Sequence, residues 1–251
     1  MTHVLVTRPL DASEQLAEQL VALGLFPIVM PLYTFTACKP LPDIDSAWLG
    51  NSGRKLAVFT SPRAVQFGLP FMPAPGQLDG LEIAVVGSAT RASLQASGYP
   101  VHLQAQTGFT SEDLLQLPGL VENPGVAVIF CAPGGRQTLA EGLRDLGWDT
   151  VNAMVYERVP LPPDAGQLDD LRNAGDLIST WTSISALTLA EDYLPADVWV
   201  KILRSPALVI SARIQHHLKQ RGASRVELAD GPGNPELLQS IARLTGQRNT
   251  G

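Results

Sequence analysis

The stretch LAEQL at residues 16–20 returns as LAEGL at residues 139–143, a shift of 123 positions in a chain of 251 residues. The same shift takes Tyr33 to Tyr156. Further matches at shifts of 122 to 124 are Thr60-Ser61 with Thr182-Ser183, Gly98 with Gly222, and Leu114-Leu115 with Leu237-Leu238. Self-similarity at one spacing along a whole chain indicates a duplicated structural unit. The sequence therefore predicts two related halves.

Each half alternates apolar strands with helices. In the first half, an apolar run at 4–7 predicts a strand. Asp11 is predicted to cap the next helix, with Glu14 at the capping-box position, and Gly24 is predicted to end it. Strands of continuous apolar character that alternate with helices predict an α/β fold whose parallel sheets are covered on both faces.

Two extended segments, 31–41 and 155–163, interrupt this alternation at equivalent places in the repeat. We expect them to run side by side as a two-stranded linker between two parallel-sheet α/β domains. In this arrangement residues 1–35 and 163–251 form domain one, residues 36–162 form domain two, and a ligand cleft lies between the domains.

The composition excludes several classes of protein. Apolar residues make up 45% and charged residues 17% of the chain, which is typical of a globular protein. A net charge of −6 disfavours a general nucleic-acid or anionic-membrane binder, because such proteins usually carry a basic face. No apolar run reaches the length of a membrane-spanning helix, and no signal peptide is recognisable, so we expect a cytoplasmic protein.

Helix starts that follow strands are the candidate anion sites, because their free backbone N–H groups attract negative charge at the carboxyl edge of a sheet. Small or hydroxyl residues occur at five such turns, 7–9, 60–63, 86–91, 131–136 and 180–183, and several of these turns also carry arginine. A hydroxyl here can equally be an ordinary helix cap, and Gly87, Gly134 and Gly135 can simply supply positive φ. The Asn234-Pro235 pair likewise predicts an ordinary cap followed by proline.

Motifs for other chemistry are absent. The sequence has no phosphate-binding P-loop, no dinucleotide fingerprint and no nucleophile elbow. The two cysteines, Cys38 and Cys131, are far apart, and the four histidines lack ligand spacing. We expect no metal and no cofactor. Tyr156 can serve as a phenolic donor or simply as an amphipathic ring packed between the domains.

Several segments together resemble the uroporphyrinogen-III synthase family. They are VLVTRP at 4–9, FTSPRAV at 59–65, VVGSAT at 85–90 followed by Gly98, TSEDLL at 110–115, and VYER at 155–158. The resemblance covers nearly the whole chain and rests on the order and spacing of these segments. It implies two α/β domains joined by a two-stranded linker, with the first domain made from both chain ends.

The resemblance also implies a reaction. The substrate is hydroxymethylbilane, a linear tetrapyrrole with eight carboxylate side chains, and the product is uroporphyrinogen III, whose last ring is inverted through a spiro intermediate. The reaction loses water and needs no cofactor. We expect a monomer, with the enzyme that forms the bilane as a candidate partner.

The same resemblance suggests site residues. Tyr156 matches the family tyrosine expected to assist departure of the hydroxyl. Ser61, Gly87, Ser88 and Thr90 match turns that hold substrate carboxylates.

Three residues outside those turns complete the predicted site. Arg8 is expected to be an electrostatic partner of the substrate, and Ser183 begins the helix equivalent to that of Ser61. The turn at 210–213 lacks the Gly and Thr often found in the family, and Arg213 is expected to contact a carboxylate there instead. Trp181, in the turn before Ser183, is bulky for a residue beside a cleft.

Two other interpretations remain open at this point. A non-catalytic two-domain module that closes on a polyanionic small molecule would share the fold and the anion-binding turns. An enzyme acting on nucleotides or sugar phosphates is a weaker alternative, because its fingerprint motifs are missing.

Overall fold

The computed structural model describes residues 1–38, 44, 48, 53–105, 110–134 and 137–246. The chain divides into two compact units. One, here called the terminal unit, is Met1–Thr34 with Val159–Gly251, and the other, the inserted unit, is Phe35–Arg158.

Strands and helices alternate along most of the chain. The strands are β1 (Thr2–Val6), β2 (Phe26–Val29), β3 (Tyr33–Ala37), β4 (Lys55–Phe59), β5 (Leu81–Val85), β6 (Leu103–Gln104), β7 (Val126–Cys131), β8 (Asp149–Met154), β9 (Tyr156–Pro160), β10 (Asp176–Trp181), β11 (Ala207–Val209) and β12 (Val226–Leu228). The helices are α1 (Leu10–Ala22), α2 (Pro62–Gly68), α3 (Ser88–Ala96), α4 (Ser111–Leu115), α5 (Gln137–Asp145), α6 (Ala165–Asn173), α7 (Ile184–Tyr193), α8 (Ala196–Arg204), α9 (Ala212–Gln220) and α10 (Asn234–Thr245).

Each unit contains one five-stranded parallel sheet. The strand order is β12-β11-β10-β1-β2 in the terminal unit and β6-β5-β4-β7-β8 in the inserted unit. The predicted α/β class with parallel sheets is confirmed. The sequence repeat makes β1 equivalent to β7 and β2 equivalent to β8. It also makes β10, β11 and β12 equivalent to β4, β5 and β6, respectively. The two sheets therefore place equivalent strands in the same order.

The central strands are buried because helices cover both faces of each sheet. All six residues of β7 are buried, as are the last five of β10. Within the described part of the chain, no helix is both long enough and apolar enough to cross a lipid bilayer.

The helix starts differ from expectation in two places. Pro9 precedes α1 with φ −51° and ψ 148° and makes no side-chain cap, so Asp11 lies inside the first turn instead of capping it. Gly233 precedes α10, and the side chain of Asn234 bonds to other residues instead. At the other end of α1, Gly24 has φ +73°, which explains why the helix stops there.

Strands β3 and β9 form a separate two-stranded sheet. The backbone N–H of Cys38 donates to the carbonyl of Val155, and that of Leu161 donates to the carbonyl of Leu32, both at 2.9 Å. The boundary between the two units falls inside both strands. The chain therefore passes from one unit to the other twice, along paired strands.

Candidate functional site

In each unit, the carboxyl ends of the parallel strands lead into helix N-termini at one edge of the sheet. In the inserted unit this edge carries Ser61 after β4 and Gly87 after β5. In the terminal unit it carries Arg8 after β1, Ser183 after β10 and Ser211 after β11. Small-molecule sites in open α/β sheets lie at this edge.

Tyr156 and Ser61 meet at this edge of the inserted unit. The hydroxyl oxygen of Tyr156 lies 3.1 Å from Oγ of Ser61, although the residues are 95 positions apart. Ser61 caps α2, and its Oγ accepts the backbone N–H of Ala64 at 3.1 Å. Because Oγ already accepts this N–H, the serine hydroxyl can donate to the tyrosine oxygen. The phenol proton of Tyr156 is then available to a ligand.

The ring of Tyr156 is held from two sides. It stacks on Phe67, with centroids 5.6 Å apart and 20° between the planes, and meets Phe35 edge-on at the same distance. The residue is 8% exposed. Packing of this kind fixes the ring, so the position of the hydroxyl is well defined.

Two arginines add positive charge near this pair. The guanidinium of Arg63 lies 4.9 Å from the ring centroid of Phe35, and that of Arg158 lies 5.9 Å from it. Arg63 also donates to the side chain of Gln66 at 2.7 Å. The Tyr156 ring therefore packs against Phe35, and the guanidinium groups of two arginines lie near the ring of Phe35.

Helix α3 presents the next group of predicted residues. Gly87 precedes it with φ −118°, so this glycine is not there to supply positive φ, and a Cβ at this position would meet nothing within 4 Å. Ser88 is exposed, whereas Thr90 is only 3% exposed. In this conformation Gly87 and Ser88 can touch a ligand, and the side chain of Thr90 is covered by protein.

Arg8 is held by α10 in the terminal unit. Its Nη1 donates to Oδ1 of Asn234 at 2.6 Å, and its carbonyl accepts the hydroxyl of Ser13 at 2.7 Å. Burial lowers the pKa of the Arg8 guanidinium, and the nearby carboxylate of Asp11 partly offsets this effect. Arginine stays protonated at neutral pH even so. A half-buried guanidinium fixed by an amide is well placed to meet a carboxylate.

The terminal unit contains a second tyrosine–serine pair, of which the sequence analysis assigned only Ser183 to the site. The hydroxyl of Tyr33 lies 3.5 Å from Oγ of Ser183, and Ser183 caps α7 by accepting the backbone N–H of Ala186 at 3.1 Å. Tyr33 is repeat-equivalent to Tyr156, and Ser183 is repeat-equivalent to Ser61. The repeat itself was the signal that could have identified Tyr33 as a candidate.

The turn before α9 has an ordinary cap. Oγ of Ser211 accepts the backbone N–H of Ile214 at 3.4 Å, and Arg213 is exposed in the first turn. Trp181, by contrast, is fully buried. Its indole N–H donates to Ser179 at 2.9 Å, and its ring meets Trp199 edge-on. Its bulk therefore fills the core of the terminal unit.

The remaining predicted turn follows β7. Gly134 has φ +69°, whereas Gly135 and Arg136 lie outside the described residues. Burial raises the pKa of the Cys131 thiol to about 11, so this thiol is protonated at neutral pH and is a poor nucleophile. Across the described ranges, no group of three or more His, Cys, Asp or Glu side chains is arranged to hold a metal ion.

Comparisons with known proteins identify the family. The uroporphyrinogen-III synthase from Salmonella typhimurium is 28% identical over 249 residues, which cover 95% of this chain and 99% of that protein. The one from Escherichia coli is 27% identical, with the same coverage.

Solved structures of similar fold carry the same name. The crystal structure of uroporphyrinogen-III synthetase from Helicobacter pylori has a TM-score of 0.65 at 18% identity and covers 97% of this chain and 100% of that one. A mutant uroporphyrinogen III synthase from Thermus thermophilus has a TM-score of 0.60 at 18% identity, covering 99% and 100%. The family model for uroporphyrinogen-III synthase HemD matches residues 14–239. The chain belongs to the uroporphyrinogen-III synthase family.

Proposed function

We propose that this chain is a cyclising hydro-lyase that converts hydroxymethylbilane to uroporphyrinogen III. Membership of the family supports the reaction, and so do relatives of that name matched over nearly their full length. The observation of this structure that carries the proposal is the Tyr156 hydroxyl, 3.1 Å from Ser61 at the carboxyl edge of a parallel sheet.

The first chemical step is departure of the terminal hydroxyl. Tyr156 donates its phenol proton to this hydroxyl as the pyrrole nitrogen supplies the electron pair that expels it as water. An electrophilic azafulvene results. Ser61, by donating to the phenol oxygen, stabilises the negative charge that develops there. A positioned acid of this kind typically accelerates a reaction by about 10²–10⁴-fold.

The following steps close the ring with inversion. The azafulvene carbon is attacked by the substituted carbon of the last pyrrole, and a carbon–carbon bond forms to give the spiro intermediate. The bond from this substituted carbon to its original methylene bridge then breaks, which leaves a second azafulvene on the preceding ring. The methylene carbon of that azafulvene is attacked by the free α-carbon of the inverted ring. Loss of the proton from that carbon restores the aromatic pyrrole and balances the proton that left with water. The net products are uroporphyrinogen III and one water.

Catalysis here depends mainly on substrate conformation. Without an enzyme the bilane closes to the uninverted isomer, so the protein must hold the chain in the geometry that leads to inversion. We assign carboxylate binding to Arg8, Ser183 and Arg213 in the terminal unit. In the inserted unit the same role falls to Gly87 and Ser88. Thr90 is a substrate contact only if its buried side chain becomes accessible when the bilane binds.

The decisive experiment measures the product isomer. Purified protein is mixed with freshly generated hydroxymethylbilane, the products are oxidised, and type I and type III uroporphyrins are separated by chromatography. We expect predominantly type III. Type I alone, formed at the rate of a protein-free control, would reject the synthase and favour a non-catalytic binding module.

We further propose that the protein acts in the cytoplasm as a monomer and receives its substrate from the bilane-forming enzyme. The net charge of −6 and the family's small soluble substrate support this. Light scattering coupled to size exclusion would give a mass near 26.8 kDa for a monomer. A stable dimer mass would contradict the proposal.

A further inference from the structure

A pocket opens in the inserted unit at the amino ends of two neighbouring strands. Lys55 and Leu81, the first residues of β4 and β5, are paired in register and both line it. Its volume is about 430 Å³, which is within the range of small-molecule sites. Most of its wall is apolar, including Phe71, Met72 and Leu78.

This pocket is separate from the candidate active site. Strand β4 runs from Lys55 at the pocket to Phe59, just before Ser61. At about 3.3 Å per residue, these two ends of the strand are roughly 13 Å apart. A ligand bound beside Lys55 therefore lies at the opposite edge of the sheet from the Tyr156 hydroxyl.

The pocket exists because one connection lacks a helix. In the terminal unit, the connection between α7 and β11 contains α8, which buries Val198 and Ile202. The equivalent connection in the inserted unit, residues 69–80, contains three prolines and forms only short 3₁₀ turns. Proline cannot donate the backbone N–H that a helix interior needs, so no α-helix forms there.

The walls of the pocket are nevertheless fixed. The hydroxyl of Tyr99 donates to the carbonyl of Pro73 at 2.9 Å. The backbone N–H of Leu81 donates to the carbonyl of Leu78 at 2.7 Å, and that of Met72 to Leu69 at 3.0 Å. These bonds hold the connection open, so the cavity is formed before any ligand arrives.

Among the described residues, the pocket wall offers one cation without an anionic partner. Trp48 contributes its ring, because its indole Nε1 is buried beneath the surface and is not accessible from the pocket. Lys55 is half-buried, and no ion pair in the described part of the chain involves it. The carboxylate of Asp79 also lines the pocket but is exposed. A half-buried ammonium beside apolar walls favours an anionic group on a ligand that fills the pocket.

We propose that this pocket binds a small aromatic anion, such as an aryl carboxylate or sulfonate. The ring packs against Trp48, Phe71 and Met72, and the anionic group meets the Lys55 ammonium. Asp79 stays in solvent at the mouth. The site does not depend on the proposed synthase activity.

A pair of dyes tests both parts of this proposal. The anionic dye 8-anilino-1-naphthalenesulfonate and the neutral N-phenyl-1-naphthylamine share the same aromatic body and differ in the sulfonate. We expect one saturable site for the sulfonate on the native protein. Lys55→Gln should weaken sulfonate binding about tenfold, the usual size of a charge-assisted contact, and leave the neutral dye unchanged. Lys219→Gln, an exposed lysine of the terminal unit, is the matched control and should change neither.

Trp48→Phe provides an independent second variant. It keeps an aromatic wall and the Lys55 ammonium, so both dyes should still bind. Energy transfer from tryptophan to the bound dye should fall, because the dye lies beside residue 48. Absence of saturable sulfonate binding, or equal binding by wild type and Lys55→Gln, would overturn the proposal. Loss of both dyes in Lys55→Gln would overturn it as well, because the neutral dye needs only the aromatic walls.

Discussion

The tyrosine–serine pair occurs once in each unit, and its surroundings differ. In the inserted unit the Tyr156 and Ser61 oxygens are 3.1 Å apart, and the ring is supported by phenylalanines. In the terminal unit the Tyr33 and Ser183 oxygens are 3.5 Å apart, and the same unit carries the guanidinium of Arg8, which is held by Asn234. Duplication has kept the pair and changed its neighbours. We infer that the first is suited to donating a proton and the second to holding an anion.

The largest effect is expected from Tyr156→Phe. Removing the phenol proton should lower kcat for type III formation about 100-fold, because a positioned acid is lost while the ring packing is kept. KM and the melting temperature should change little. Single-turnover assays with product separation measure this. If kcat stayed within about twofold of wild type, Tyr156 would be a packing residue only.

Next in size is Arg8→Gln. Loss of a charge-assisted contact should raise KM about tenfold with a smaller change in kcat. Arg204→Gln, an exposed arginine at the end of α8, removes the same charge from the same unit and is the control. Equal KM values for the two variants would remove Arg8 from the substrate site.

The two capping serines allow a matched comparison. Ser61→Ala and Ser183→Ala should each lower the free energy of unfolding by about 1 kcal/mol, since each loses one helix cap. Only Ser61→Ala should also lower kcat, by about fivefold, because Ser61 stabilises the phenolate of Tyr156. Denaturant titration and initial rates separate the two effects. An equal loss of kcat in both variants would contradict the division of roles.

The smallest effect is expected from Tyr33→Phe. Its hydroxyl takes no part in the proton transfer in our scheme, so KM should rise by about threefold and kcat should be retained, in keeping with one neutral hydrogen bond. The pH–rate profile should match that of wild type. A fall in kcat as large as that of Tyr156→Phe would show that the two pairs are interchangeable, and the comparison would fail.

Much of the architecture could be predicted from sequence. The continuous apolar run at 4–7 identified a buried parallel strand, and the turn at 60–63 identified a helix start, because both signals are local. The predictions that Asp11 and Asn234 cap their helices were wrong for the same reason. A capping pattern does not reveal that Pro9 already sets the start of α1, or that Asn234 is engaged by Arg8 from the far end of the chain.

The candidate site was less accessible to sequence reasoning. Tyr156 and Ser61 were each singled out, but their contact joins residues 95 positions apart and required the packed fold to appear. Trp181 was identified as unusual, and only the structure shows that its indole bonds to Ser179 inside the core. Thr90 was expected to hold a substrate carboxylate, but its side chain on α3 is buried.

The two crossings of the chain at β3 and β9 also set an order of events during synthesis. The inserted unit is one continuous stretch, so it can fold as soon as residue 158 has left the ribosome. The terminal unit cannot, because β1 lies between β2 and β10, and β10 begins only at Asp176. Strand β1, which is synthesised first, is therefore among the last strands to gain both of its neighbours. While the inserted unit folds, the edge of β1 that will pair with β10 has no partner strand.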